Sequence, residues 1–501
     1  MTSEHNINRV VLDGASLTLD DLITISTGSA RIHVPDGVLA ALKTSNDVLI
    51  RARESGRVYG ANTGVGANRA LNVEVSGSPE EIRAAHARRL LLSHCAGAGR
   101  VDEETTVRAA MAVRLNQFLA GGSGISTGVV VGLLEALNNG AVASIHSLGG
   151  LGTGDLAAMA ELALTLSGDR PWQVGGIAPV HFEDTDSLPF MSSSALTLAT
   201  AAQGAVAMEE LLKSALVVSS LTLLALEGSP EPYAPAVHQG RNHPHQTAVA
   251  SSVRQLTGPD TPAVPARLQD PFALRALPQV HAPALDALER LRSVIETECN
   301  GAAENPLMTS EGVFHHGQFH LAMLSAALDG TRSAVYPVIS LSAARLSHLF
   351  RPELSGLPSF LSAGPRGSSG LMIAEYVAQD VLSVLRTLVT PANGPGISVS
   401  LGLEEHAGFA TQGARQLRQL AAEAPAVVAL EAVAAVRALR MAPHRLGSAP
   451  VRDAFEYLAA GLDPETDDRP LGDDLAAALA LLPGLVRFSS QYGSSVQPVR
   501  R

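Results

Sequence analysis

A tyrosine in a glycine-rich loop is the first group in this sequence whose type and setting could do chemistry. Tyr59 begins the segment Tyr59–Gly66, in which glycines at 60, 64 and 66 allow backbone angles that other residues avoid. A phenol has an ordinary pKa of about 10, so it can act as a base only in a site that favours the phenolate. The alternative is an ordinary glycine turn that carries a buried tyrosine.

Three polar residues of the second half could hold a small molecule. Arg275 carries a planar fork of donors that suits a carboxylate, although a structural ion pair would use the same fork. Glu404 could bond an imidazole or an amine, or it could be a carboxylate favoured by the dipole at a helix start. Gln269 could contact a carboxylate or merely cap the backbone.

A group of histidines has the spacing of metal ligands. His316 and His320 are four residues apart, as two ligands on one helix face would be, and His315 adjoins them. No acidic or cysteine ligand stands at a diagnostic spacing from them. We therefore expect no metal site.

Composition limits the classes of partner. The net charge of −12 argues against nucleic acid, which normally meets a basic stripe. Charged residues are only 17% and apolar residues 46% of the 501 positions, which favours a large core and surface hidden in an oligomer. Cys95 and Cys299 are too far apart for a metal motif or a disulfide framework.

The hydropathy pattern favours a cytoplasmic protein. The first residues are polar and acidic where a signal peptide needs an apolar run. The most apolar stretch, 215–226, contains Ser219, Ser220 and Thr222 and is well short of the roughly 20 residues needed to cross a bilayer. We expect no membrane partner.

Periodicity predicts a mainly α fold, a long-helix bundle with a small mixed N-terminal region. Short β-like runs at 8–12 and 31–34 precede a chain of helical patterns, which a glycine-dense break at 147–155 interrupts. We expect an N-terminal region over 1–200 and a helical bundle over 201–501. The predicted helices cover residues 79–95, 104–120, 127–139, 156–167, 193–227, 282–300, 318–348, 370–390 and 407–440.

Several motifs follow one another in an order that resembles the histidine and phenylalanine ammonia-lyase family, which also includes aminomutases. The loop Tyr59–Gly66 is similar to that family's Tyr-Gly-x-Asn-Thr-Gly-Phe-Gly. The motifs are independent of one another, so the resemblance, from about residue 55 to about residue 410, is specific for the fold. The other matching segments are Leu91–Gly97, Arg114–Asn116, Ser123–Gly124, His238–Gln246, Gln269–Arg275, Asn305–Leu307, Ser355–Pro358 and Ser369–Ala374.

The resemblance implies roles for individual residues. Tyr59 would be the base that removes a proton from the substrate's β-carbon, and Arg275 would anchor the carboxylate. Ser93 and His94 stand where the family reads the substrate's ring, and this pair resembles the histidine-specific branch. Glu404 would also face the side chain of an amino acid substrate. The resemblance also implies a homotetramer with active sites shared between subunits.

The cofactor-forming tripeptide departs from the family. The family builds a methylideneimidazolone ring from its own Ala-Ser-Gly, whereas this chain has Gly152-Thr153-Gly154. The nitrogen of Gly154 is unhindered and the hydroxyl of Thr153 can in principle be eliminated, but the product would carry an extra methyl group on its electrophilic carbon. The outcomes are a methyl-substituted ring, a slowly formed ring or none, and we expect no ordinary ring.

Further departures fall on the same implied pocket. Ser192 stands where the family has asparagine, Phe272 where it has tyrosine, and His315 where it has phenylalanine. Leu403 replaces a glutamine before Glu404. The joint loss of polar groups suggests a retuned reaction or an abandoned one.

The leading hypothesis is a carbon–nitrogen lyase acting on an aromatic or imidazole amino acid. A 2,3-aminomutase, in which ammonia adds back at the β-carbon, would use the same residues. A second alternative needs no ring and uses Tyr59 on a substrate with its own leaving group. A third is not an enzyme but a homologue that binds a small molecule or serves as a structural partner.

Overall fold

The computed structural model describes residues 8–72, 78–241, 243–258, 266–302, 304–394 and 396–492. Its helices are α1 Leu19–Ser26, α2 Asp36–Ser55, α3 Pro79–His94, α4 Glu104–Leu119, α5 Thr127–Asn138, α6 Leu156–Leu166, α7 Ser187–Met191, α8 Ala195–Ala225, α9 Pro235–Gln239, α10 Pro244–Thr257, α11 Phe272–Arg275, α12 Leu277–Cys299, α13 Ala322–Leu349, α14 Pro352–Ser355, α15 Ile373–Leu388, α16 Ala410–Glu423, α17 Pro425–Met441, α18 Arg452–Gly461, α19 Gly472–Leu481 and α20 Val486–Tyr492. Its strands are β1 Asn8–Val11, β2 Ala30–His33, β3 Ala98–Val101, β4 Val142–Ala143, β5 His146–Leu148, β6 Trp172–Val174, β7 Leu307–Thr309 and β8 Gly312–Phe314.

The predicted mainly helical fold is confirmed. Helices α3, α4, α5 and α6 lie where periodicity predicts them, and α8, α12, α13 and α15 match the long predicted segments within a few residues. The segment predicted as one helix over 407–440 is two, α16 and α17. The division falls at Pro425, the first residue of α17, which has no N–H to continue the hydrogen-bond ladder.

The strands form small pairs rather than a large sheet. The predicted β-like runs near the N-terminus are confirmed as β1 and β2, which pair in parallel. Asn138 completes the free edge of β2, because its side-chain oxygen accepts from the N–H of Ile32 at 2.8 Å and its amide donates to the Ile32 carbonyl at 3.0 Å. The other pairs are antiparallel: β3 with β5, β4 with β6 and β7 with β8.

The chain forms two compact units, and each unit draws on three stretches of sequence. Unit 1 comprises Met1–Gly204, Leu291–Asp329 and Pro391–Arg415. Unit 2 comprises Ala205–Arg290, Gly330–Thr390 and Gln416–Arg501. The first break, after Gly204, lies close to the expected boundary at residue 200, but later segments return to unit 1.

Helix α4 forms the centre of unit 1. Its Arg114 is fully buried and pairs with Glu304 at 2.8 Å. The same guanidinium donates to the Phe190 carbonyl at 3.1 Å and to that of Pro189, so it fixes the short helix α7. Asn116 accepts from the N–H of Gly14 at 3.0 Å. The Arg-x-Asn motif is therefore structural, since it satisfies buried backbone groups.

One stretch of the described residues, Ala410–Met441, is long and apolar enough by composition to cross a membrane. Within its most apolar window, 61% is buried inside the protein. Core helices of water-soluble proteins have the same composition, so this stretch is weak evidence for a span.

Candidate active site

The conformation of the tyrosine loop of unit 1 depends on two of its glycines and on the side chain of Asn62. Gly60 and Gly66 have φ values of +71° and +54°, which non-glycine residues rarely adopt. A side chain at position 60 would also meet Leu188 at 2.2 Å. Asn62 ties the loop to the end of α2, because its amide donates to the Gly56 carbonyl at 2.8 Å.

The hydroxyl of Tyr59 points back into this loop. The N–H of Gly66 donates to the Tyr59 oxygen at 2.7 Å. Burial raises the pKa of Tyr59, the hydrogen bond from Gly66 lowers it, and the charges of Glu404 and Arg69 raise and lower it respectively. The net direction is upward, so the resting group is the neutral phenol. A substrate must supply further stabilisation before Tyr59 can act as a base.

Glu404 approaches Tyr59 on a second loop of unit 1. Val399 and Glu404 form an isolated antiparallel bridge that closes a tight turn. Within the turn, Ser400 and Leu401 have positive φ values of 54° and 56°. The hydroxyl of Ser400 accepts from the N–H of Ala67 at 2.9 Å, which joins the two loops. The strained turn thus sets Glu404 where its charge acts on Tyr59.

His315 lies beside Tyr59. Its Nε2 is 3.5 Å from the backbone nitrogen of Tyr59, and the two rings are edge to face with centroids 6.4 Å apart. His315 is exposed. The imidazole therefore stands at the rim of the tyrosine loop, open to a ligand.

The helical spacing assumed for His316 and His320 is wrong, because both precede α13 in irregular backbone. Nδ1 of His316 accepts from the N–H of Gln318 at 3.0 Å. His320 instead pairs with His406, with Nε2 and Nδ1 2.9 Å apart. No group of three or more histidine, cysteine or acidic side chains among the described residues could hold a metal ion.

The turn at Gly152, Thr153 and Gly154 is held from two later parts of unit 1. The N–H of Leu321 donates to the Gly152 carbonyl at 3.1 Å, and the N–H of Phe409 donates to that of Leu151 at 2.9 Å. Gly152 and Gly154 have φ values of +85° and +122°. A side chain at position 152 would meet the backbone nitrogen of Ala410 at 2.6 Å. Only glycine suits this position.

A buried carboxylate lies directly behind the turn. Asp155 accepts from the N–H of Thr197 at 2.7 Å and from its hydroxyl at 2.8 Å. Burial raises the pKa of Asp155 despite these donors and the charge of Arg415. Thr197 also contacts the hydroxyl of Thr411 at 2.8 Å. Sequence reasoning missed both threonines, because a single threonine near the start of a helix carries no pattern that points to a buried carboxylate elsewhere in the chain.

Ser93 and His94 end α3. Nδ1 of His94 donates to the Leu90 carbonyl at 2.9 Å, since a carbonyl can only accept. In the neutral ring this leaves Nε2 as an acceptor for a ligand. The hydroxyl of Ser93 is bonded to the same carbonyl at 3.1 Å. Ser192 is buried, and its hydroxyl accepts from the N–H of Asn305 at 3.1 Å.

Gln269, Phe272 and Arg275 line one open cavity of about 430 Å³ in unit 2. The guanidinium of Arg275 lies over the Phe272 ring, 4.6 Å from its centroid. Among the described residues, the buried Nε of Arg275 has no hydrogen-bond partner. Phe272 is 68% exposed. A guanidinium whose Nε lacks a partner among the described residues, in a cavity of this size, suits a small carboxylate.

The candidate residues therefore form two groups. Tyr59, His315 and Glu404 lie together in unit 1, which also carries the turn at 152–154 with Ser93, His94 and Ser192. Gln269, Phe272 and Arg275 lie together in unit 2.

Comparisons with known proteins bear on the identity of this site. A family model described as aromatic amino acid lyase matches residues 17–460. Histidine ammonia-lyase of Streptomyces coelicolor is 32% identical over 502 residues, which cover 95% of this chain and 97% of that protein. The structure of histidine ammonia-lyase from Trypanosoma cruzi has a TM-score of 0.87 at 25% identity, with 97% of this chain and 95% of that chain covered. The ergothioneine-degrading ergothionase from Treponema denticola has a TM-score of 0.89 at 22% identity, with 95% and 99% covered.

Proposed function

The chain belongs to the aromatic amino acid lyase family, and from that premise we propose that it cleaves a carbon–nitrogen bond in an amino acid with an imidazole side chain. The observation that carries the proposal is the tyrosine loop. Tyr59 has one backbone donor at its oxygen and one nearby carboxylate, Glu404. A phenol so placed can ionise when a cationic substrate comes close, because the new charge favours the phenolate, and the phenolate can then accept a proton.

The preference for an imidazole rests on His94 and Glu404. The free acceptor of His94 can take the N–H of a substrate ring. Glu404 can bond the second ring nitrogen or the amine. Ser93 and Ser192 would line the same pocket. We propose Arg275 as the carboxylate anchor, because its buried Nε has no hydrogen-bond partner among the described residues and faces a cavity that Gln269 and Phe272 also line.

The ordinary ring of the family does not fit this chain. Its reactive carbon is a bare methylene that comes from serine, and Thr153 carries a methyl group on that carbon. The backbone also differs from what the family's alanine would need, because Gly152 has a φ of +85° and a side chain there would overlap Ala410. We therefore propose that elimination relies on the protein's side chains and not on the ring.

The elimination can be written with these side chains alone. Tyr59 first loses its proton to solvent as the cationic substrate binds, and the phenolate then takes the β-proton. The electron pair of the C–H bond becomes the new C=C bond, and the ammonium group leaves as ammonia with the pair of the C–N bond. Arg275 would hold the carboxylate throughout, which orients the substrate for the elimination. The proton taken from the β-carbon restores the neutral phenol of the resting site.

Intact mass and product absorbance test the proposal on the purified full-length chain. We expect the mass of the unprocessed sequence, and formation of urocanate when histidine is supplied. A mass lower by two waters would show that the ring forms, which contradicts the proposal that elimination proceeds without it. Absence of urocanate from wild type, or its undiminished formation by Tyr59→Phe, would contradict the lyase.

The altered turn favours a second candidate reaction, the elimination of a quaternary amine from a substrate that carries its own leaving group. Without the ordinary electrophile, a primary amine that has lost its proton is a poor leaving group, whereas a quaternary amine keeps its positive charge and leaves as a neutral amine. Histidine and its Nα-trimethyl derivative are the matched pair of substrates that separates the two. Faster release of urocanate from the trimethyl compound would favour the second candidate, and faster release from histidine the first.

We also propose a homotetramer whose active sites are shared between subunits. Large apolar side chains support it, because Leu401 is 95% and Leu268 97% exposed, one beside each group of candidate residues. Light scattering on the eluting protein should give four times the mass of the 51.9 kDa chain. A monomer that still turns substrate over would contradict sharing.

A further inference from the structure

The backbone beneath Arg275 is held by two buried side chains of unit 2. Arg275 ends α11, which is a single helical turn and has little rigidity of its own. The hydroxyl of Tyr233 donates to the Leu274 carbonyl at 2.6 Å, and Nη1 of Arg345 donates to the Ala273 carbonyl at 3.3 Å. Both carbonyls inside this turn are therefore bonded to residues distant in sequence.

Arg345 is fixed in turn by Glu431. Nε of Arg345 donates to one carboxylate oxygen at 2.6 Å and Nη2 donates to the other at 2.8 Å. Both side chains are fully buried. Glu431 also accepts from the hydroxyls of Ser342 at 2.6 Å and Thr222 at 2.7 Å. Four donors therefore saturate the carboxylate, which leaves the guanidinium one orientation.

Stability alone is a weak reason for such a pair. Removing two charges from water costs about as much as their attraction returns, and well-packed apolar residues are often at least as stabilising. An apolar pair could not, however, aim a donor at the Ala273 carbonyl. His281 adds no competing charge, because burial and then the charge of Arg345 lower its pKa to about 3. Glu431 is thus the partner that balances Arg345.

Arg275 depends on this support. Among the described residues its Nε has no hydrogen-bond partner, and the Phe272 ring of the same turn is the group against which its guanidinium packs. A rotation of α11 would carry both side chains with it. The direction of the guanidinium is thus set by the backbone that Tyr233 and Arg345 hold.

We propose that Arg345, oriented by Glu431, is a positioning residue that aims Arg275 at the substrate carboxylate. The inference rests on the proposed function, in which Arg275 is the carboxylate anchor. Tyr233 also positions Arg275, because its hydroxyl holds the Leu274 carbonyl of the same turn. Neither residue touches the substrate, so the effect should fall on recognition of the carboxylate and spare the rest of the ligand.

The test compares two ligands that differ only in the carboxylate. Calorimetry on Tyr59→Phe protein, in which turnover should be about 10² to 10⁴ times slower, gives the Kd of histidine and of histamine. In this background, Arg345→Lys keeps the charge beside Glu431 but loses the fork that reaches Ala273. It should raise the Kd of histidine roughly 10- to 100-fold and change the Kd of histamine by no more than about twofold. Tyr233→Phe should act in the same direction, which keeps the proposal testable if Arg345→Lys does not fold.

Ser342→Ala is the matched control. It removes one donor from Glu431 without touching an arm of Arg345, so it should lower the melting temperature and leave the histidine-to-histamine ratio unchanged. Adding Arg275→Leu should abolish the effect of Arg345→Lys, as a double-mutant cycle requires.

The outcomes separate the two proposals. If Arg275→Leu alone leaves the histidine affinity unchanged, the carboxylate anchor of the proposed function fails, and the positioning role fails with it. Suppose instead that Arg275→Leu weakens histidine binding, while Arg345→Lys and Tyr233→Phe weaken the binding of both ligands equally or of neither. In that case only the positioning role is overturned.

Discussion

The N–H of Gly66 donates a 2.7 Å hydrogen bond to the oxygen of Tyr59, seven residues earlier in the same loop. This donor favours the phenolate, whereas burial and the charge of Glu404 favour the phenol. The loop thus contains both the group that could remove a proton and the surroundings that keep it neutral at rest. The balance between them can be tested one residue at a time.

Replacing Tyr59 by phenylalanine should remove the base and little else. We expect the turnover number to fall by about 10² to 10⁴, the usual range for a general base. The loss of one hydrogen bond should cost about 0.5–1.5 kcal/mol of unfolding free energy. Steady-state kinetics and thermal melting measure both. Tyr376→Phe, at a position 67% exposed, is the control and should change neither.

The pH dependence should respond to Glu404. Because the Glu404 charge raises the pKa of Tyr59, Glu404→Gln should lower that pKa. The fraction of phenolate, and with it the rising limb of kcat/KM, should then move to lower pH. Glu405→Gln makes the same change of charge at the neighbouring residue. An equal displacement of the profile in both variants would mean that net charge, and not the position of Glu404, is responsible.

Gly152→Ala should destabilise the protein by about 2 kcal/mol or more, because its φ is +85° and the new side chain would meet Ala410 at 2.6 Å. Gly128→Ala, in α5 with open space around it, should be neutral or slightly stabilising. Chemical denaturation measures the difference. Equal stability of the two variants would show that the turn adopts another conformation in solution.

Acid stability should depend on His281. Its pKa falls from 6.5 to about 3 in the folded protein, chiefly through burial, so the unfolded chain binds the proton more tightly. Stability from this group is fully present above pH 6.5 and is lost as the pH falls towards 3, at about 1.4 kcal/mol per pH unit. Denaturation midpoints between pH 6.5 and 4.5 should fall less steeply for His281→Gln than for wild type. Exposed His444→Gln should follow wild type, and parallel curves for all three would contradict the assignment.

The sequence predicted the elements that local pattern controls. Helical periodicity located α3 to α6 closely, and the glycines at 60 and 66 marked the loop that needs positive φ. The helical spacing predicted for His316 and His320 is wrong because backbone N–H groups of this segment donate to residues distant in sequence. The His316 N–H donates to the Asn305 side chain at 3.0 Å and the Leu321 N–H to Gly152, so neither can serve a helix.

Pairs of residues far apart in sequence could not be predicted from the sequence for the same reason. Arg345 and Glu431 are 86 residues apart, each in a helix that reads as mostly apolar. Nothing in either helix points to the other, because burial and pairing of charges are properties of the packed unit. The roles proposed for all the candidate site residues, from Tyr59 to Glu404, stay predictions.

The turn at Gly152 depends on chain that is synthesised much later. Its carbonyls are bonded by Leu321 and Phe409, and Gln412 bonds the Gly150 carbonyl from 262 residues away. At ribosomal rates of about 5–20 residues per second, the nascent turn waits on the order of tens of seconds for these donors. Any covalent maturation at Thr153 that needs this geometry must therefore follow translation of the last unit 1 segment, and a protein truncated before it should never acquire that chemistry.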